Sequence, residues 1–190
     1  MVAAEQQLLL CSAGLGAMPA WIDRHASDPV VTFVDAAAQP LGLPSFVGEC
    51  RHALERAGSV VEDLDLCRAT EPEVALVLDR ADMVFVVGGY PIFLLEWAQR
   101  SGFLREARQR VGGGRLIYAG VSAGAALASP SMEPLAAADD PGRVTDFQGL
   151  ELVDFVVIPH VNRYPATVFD ERRRECTVGS TWCHCPTTRR

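Results

Sequence analysis

The chain has 190 residues, 49% of them hydrophobic and 22% charged, enough for one full core of ordinary globular make-up. Its 17 basic and 24 acidic side chains leave a net charge of −7, and no cluster of Lys or Arg precedes the C-terminal end. This excludes a nucleic-acid partner, because neutralising phosphates needs grouped cations. No apolar run approaches the ~20 residues of a membrane span. The apolar stretch from Leu8 to Ala20 follows Glu5 without the cationic start of a secretory signal, so a soluble, cytoplasmic protein is expected.

In chain order, short runs rich in Val, Ile and Leu predict strands at Gln7 to Ser12, Val30 to Asp35, Val60 to Leu66, Met83 to Gly88, Leu116 to Val121 and Phe155 to Pro159. Most are continuous rather than alternating, the mark of strands covered on both faces. Between them, Phe46, Cys50, Ala53, Leu54 and Ala57 recur at helical spacing and predict a helix from Ser45, as N-cap, to Ala57, with Gly58 as the stop. A shorter helix is expected over Pro72 to Arg80. A long one is expected over Pro91 to Val111, with Pro in its first turn and Gly112-Gly113-Gly114 at its end.

Strand and helix in alternation predict a three-layer α/β fold, a mostly parallel sheet with helices on both faces. Residues 1–170 read as one domain and 171–190 as an atypical tail. Cys11, Cys50 and Cys67 sit in apolar or amphipathic segments and read as reduced thiols. In the tail, the adjacent Cys183, His184 and Cys185, with Cys176 nearby, lack the spacer of a structural zinc site, and no metal is expected. Gly14-Leu15-Gly16 leads to Pro19 where a dinucleotide fingerprint wants its third glycine, so no such cofactor is expected either.

Function in such a fold is sought at the carboxyl ends of strands. There the sequence Leu116 to Val121 runs into Ser122 as Gly120-Val121-Ser122-Ala123-Gly124, a GxSxG turn between a strand and a helix. A serine at such a turn brings two backbones together, so the positions two before and two after it must be almost without side chains. Ser122 is the candidate nucleophile. Of the four histidines, His52 lies on the polar side of a helix and His25 in a polar loop, whereas His160 follows Phe155 to Pro159 at a strand exit, 38 residues after Ser122. His160 is the candidate base.

The acid that would orient the imidazole is sought among Glu133, Asp139, Asp140, Asp146 and Asp154. Asp139 and Asp140, on the loop after the nucleophile, could fold back over His160. An oxyanion hole would use the N–H of Ala123 and a donor from Gly88-Gly89, which leave the Met83 strand.

Val87-Gly88-Gly89 before a helix, Gly120 to Ala125, and Gly149 to Phe155 leading to Ile158-Pro159-His160 together resemble the dipeptidase E family of serine peptidases. These are aspartyl dipeptidases related to cyanophycinase, in the class I glutamine amidotransferase-like superfamily. The resemblance runs from Gln7 to about Tyr164. It implies a Ser-His-Asp triad with Asp139 or Asp140 as the acid, an oxyanion hole from Gly89 and Ala123, and neither metal nor cofactor. The substrate implied is a short peptide with an N-terminal acidic residue, held beside Gly88 and Tyr90. Tyr90-Pro91 departs from the family's pattern after the glycines and removes a backbone donor. Beyond His160 the chain departs again, into a tail without periodicity, and its assembly is expected to be a monomer or homodimer. An esterase using the same serine, and an impaired binding or regulatory relative, are the competing readings.

Overall fold

The computed structural model describes residues 6–160 and the backbone of 181–184. Five strands, β1 (Leu8–Cys11), β2 (Val30–Val34), β3 (Val60–Asp63), β4 (Met83–Val86) and β5 (Ile117–Val121), form one parallel sheet in the order β1-β5-β4-β2-β3. The connections carry helices to both faces, as parallel strands require. Because side chains alternate across a strand, β2 and β4 feed two separate cores. Phe33 and Phe85 stack at 5.9 Å on the face covered by α1 (Met18–His25) and α2 (Ser45–Arg56), with Met18, Ile22, Val47 and Leu54 packed against them. Val34, Val84 and Val86 point the other way, to α3 (Glu71–Arg80), α4 (Pro91–Arg100) and α5 (Phe103–Gly112), which contribute Val74, Leu78, Leu94, Leu95, Phe103 and Ala107.

Several boundaries differ from the sequence reading. β3 is exposed along much of its length rather than buried, because it is a sheet edge, kept short and carrying Glu62 and Asp63. The single helix expected from Pro91 to Val111 is two. Gly102 adopts φ +75° between α4 and α5, a left-handed conformation that ends one helix and redirects the next. Helix α1 has no polar cap at its start, Ala17 standing there, and its last residue is His25, which was expected in a loop. The position before α2 is Pro44, so Ser45 is the first helical residue rather than the cap. Helix α3 begins at Glu71 behind a Thr70–Glu73 capping box.

After β5 comes a four-residue helix, α6 (Ala123–Ala126). The sixth strand, β6 (Phe155–Ile158), lies outside the five-stranded sheet. It pairs in parallel with β7 (Thr181–His184), Val157 standing opposite Cys183 and Ile158 opposite His184. The tail thus contains a strand where no periodicity was expected. Cys176 and Cys185 lie outside the described residues. Among the described residues no helix is long and apolar enough to cross a membrane.

Candidate active site

β5 lies between β1 and β4 in the sheet, and the chain reverses at its end through Ser122. Ser122 has φ +54° and ψ −116°, a conformation that costs a non-glycine residue about 1–3 kcal/mol and persists only under tight packing. The packing is visible. A Cβ on Gly120 would run into the Gly124 backbone, and one on Gly124 would run into the Val86 carbonyl. The buried Tyr118 hydroxyl donates to the Gly124 carbonyl at 2.6 Å, and the Ser122 N–H donates to the Cys11 carbonyl at 2.9 Å. The elbow is therefore tied to its own strand and to β1.

His160 follows β6 with φ +60°. Its N–H donates to Ser12 Oγ at 2.8 Å, at the exit of β1, and its Nε2 stands 2.8 Å from Ser122 Oγ. One strand away, Gly88 leaves β4 so close to the serine that a Cβ there would sit 2.6 Å from Ser122 Cβ. Gly89, at φ +147°, lies against the Ala37 carbonyl, which takes the Tyr90 N–H at 2.8 Å. Among the described residues no carbonyl takes the N–H of Gly89 or of Ala123.

Of the acidic candidates, Asp140 is the buried one. Asp140 caps α4. Its Oδ2 accepts from Ile92 N–H at 2.8 Å, and its Oδ1 accepts from Phe93 N–H at 3.0 Å and Gly142 N–H at 2.8 Å. The reason is local to α4: Pro91 has no N–H and Tyr90 offers no side-chain cap, so the free donors of the first turn need an acceptor from outside. Asp139, Glu133, Asp146 and Asp154 are exposed.

Ser122 and His160 open on a cavity of about 450 Å³ that is also lined by Gly88, Gly89 and Tyr90. Leu15, Leu41 and, from α2, Phe46, Glu49 and Cys50 belong to the same lining. Peptidase family S51 matches this chain over residues 14–181. The chain belongs to family S51. It is 31% identical over 138 residues to an uncharacterized peptidase of Pasteurella multocida, covering 71% of this chain and 66% of that protein. With a peptidase E of Streptomyces coelicolor it shares 34% over 146 residues, 72% of this chain and 56% of the other. The chain thus spans less than two thirds of the length of these relatives. A crystal structure of a protein assigned as a peptidase E, from Listeria monocytogenes, superposes with a TM-score of 0.80 at 26% identity, covering 94% and 89% of the two chains. The S51 fold, a parallel sheet between layers of helices, is that of the present chain.

Within this S51 site, several residues were invisible to sequence reasoning. Ser12 and Ser129, both buried, hold the approach to the base: Ser129 Oγ accepts the Val157 N–H at 2.8 Å, three residues before the Ser12 contact. Only the packing of α6 beside β6, and of His160 beside the exit of β1, reveals them. Cys50 faces the same cavity as Ser122, but burial, and then the neighbouring Glu49 carboxylate, push its thiol up to about 12. It stays protonated and is no rival nucleophile at neutral pH. Among the described residues no group of three His, Cys, Asp or Glu side chains is arranged to hold a metal ion.

Proposed function

We propose that the protein is a serine peptidase of the dipeptidase E type that hydrolyses short peptides, with Ser122 as nucleophile and His160 as base. The observation that carries this reading is the 2.8 Å separation of Ser122 Oγ and His160 Nε2 at a strained strand-to-helix turn. His160 takes the proton as Oγ attacks the scissile carbonyl. The oxyanion meets the N–H groups of Gly89 and Ala123, and the amine leaves with the proton from His160. Water, deprotonated by the same imidazole, then releases the acyl group from Ser122.

Membership in S51 and the similarity to the Streptomyces peptidase E favour a peptide over an ester as the substrate. The resemblance implies an N-terminal acidic residue, which makes Asp-Leu the first dipeptide to test. No role as orienting acid is given to Asp140, whose carboxylate is committed to α4. Replacing Ser122 by Ala is expected to lower dipeptide turnover by roughly 10³-fold or more with the fold intact, and a fluorophosphonate should label Ser122 in the native chain. Unchanged turnover in Ser122→Ala would refute the assignment. Faster cleavage of short acyl esters than of any dipeptide would favour an esterase.

A further inference from the structure

The cavity beside Ser122 holds a charged side chain that acyl transfer leaves unused. Helix α2 runs along it, and Phe46, Glu49 and Cys50, three and four positions apart, share the face turned to the cavity. Val47, Ala53 and Leu54 of the same helix are buried. Among the described lining residues, Glu49 is the only Asp, Glu, Lys or Arg. It is exposed, and among the described residues no Lys, Arg or His pairs with it. Leu15, Leu41 and Phe46, in the same lining, are apolar.

A lone carboxylate on an apolar, concave wall adds nothing to folding that Gln would not, but it gives the cavity a negative field that attracts a cation. With the scissile carbonyl at Ser122 and its oxygen toward Gly89 and Ala123, the cation common to all unblocked peptides is the α-ammonium. In an N-terminal residue that group is bonded to the same Cα as the carbonyl being attacked. At any internal bond the corresponding nitrogen is an uncharged amide, which cannot form a charge-assisted hydrogen bond of the same strength.

We propose that Glu49 holds the α-ammonium of the substrate and so directs Ser122 to the first peptide bond of unblocked peptides. This rests on Ser122 being the nucleophile, as proposed above. The test compares kcat/KM for Asp-Leu and Leu-Leu with their N-acetylated forms, in the native chain and in Glu49→Gln, with fluorophosphonate labelling of Ser122 in the native chain run alongside. The native chain should prefer unblocked dipeptides by about fivefold or more, the worth of one partly exposed charged hydrogen bond. Glu49→Gln should erase most of that preference through KM, and Glu49→Asp should restore part of it. A preference that survives Glu49→Gln overturns the proposal. So does equal cleavage of blocked and unblocked forms by the native chain, or the absence of any unblocked dipeptide hydrolysis by a chain whose Ser122 is labelled. Failure of the label itself refutes the nucleophile assignment instead, and this proposal falls with it.

Discussion

Replacing Asp140 separates two roles that predict opposite results. As the cap of α4 its carboxylate takes three backbone donors, Ile92, Phe93 and Gly142, at 2.8 to 3.0 Å, in a residue only 4% exposed. Loss of a helix cap costs about 0.5–2 kcal/mol, and each donor left buried and unpaired adds about 1–3 unless water reaches it. Asp140→Ala should therefore destabilise by about 3 kcal/mol, a fall of roughly 6–12 °C in Tm for a chain of this size. Asp140→Asn should lose less, about 1–2 kcal/mol, because its carbonyl can keep the Phe93 and Gly142 donors while its amide faces the Ile92 N–H. The assays are thermal unfolding, and dipeptide turnover at 25 °C normalised to folded protein. Turnover is expected within about fivefold of native. An acid that orients a catalytic imidazole behaves otherwise: Asn there costs roughly 10⁴ in kcat with the fold unharmed. A native Tm with activity lost by 10³ or more would refute the capping argument.

Four other outcomes follow from the same geometry. Ser12→Ala removes the acceptor of the His160 N–H; kcat is expected to fall about tenfold, with a loss of no more than about 1–3 kcal/mol in urea unfolding. Gly124→Ala forces a Cβ onto the Val86 carbonyl, and the chain should lose both fluorophosphonate labelling and several degrees of Tm, while the same change at the open Gly48 does neither. Ser129→Ala leaves the buried Val157 N–H without its partner, for about 1–3 kcal/mol by denaturant titration. Arg110, hydrogen-bonded to Glu106, holds that carboxyl below its ordinary value, so its stabilisation is complete above about pH 4.5 and disappears as pH falls through the lower folded value. Glu106→Gln should accordingly flatten the stability profile of the chain below about pH 4.5.

Much of this architecture was legible because its signals are local. The apolar runs located all six expected strands to within a few residues, and the glycines flanking Ser122 announced an elbow because a Cβ at either place meets backbone. The same logic of small residues at Gly88-Gly89 marked the chain passing beside the serine. Where the local signal was weak, the reading slipped. Helix α1 has no polar cap to announce it, and the break at Gly102 was hidden inside a pattern that remains helical on both sides.

The candidate pair shows where sequence alone stops. The glycines at 120 and 124 are dictated by the steric demands of one strand meeting one helix, so the turn around Ser122 could be named without coordinates, and strand-end position pointed to His160 as its candidate partner. What Asp140 does could not be. A carboxylate in a polar loop suits a triad or a helix cap equally well, and the choice depends on which unpaired donors the folded chain brings to it. Here those donors are the N–H groups of Ile92 and Phe93, left free because the first turn of a helix has no carbonyl of its own to meet them and Tyr90 supplies no side-chain cap. Likewise, only the packing of α2 along the cavity puts Glu49 in the same lining as the serine and histidine, since nothing within its own helix distinguishes it from a solvated glutamate. The sequence determined the sheet and its elbow, which follow from short-range sterics and periodicity; tertiary structure decided the partners of each carboxylate, because hydrogen bonds between residues about fifty positions apart leave no mark on either local sequence.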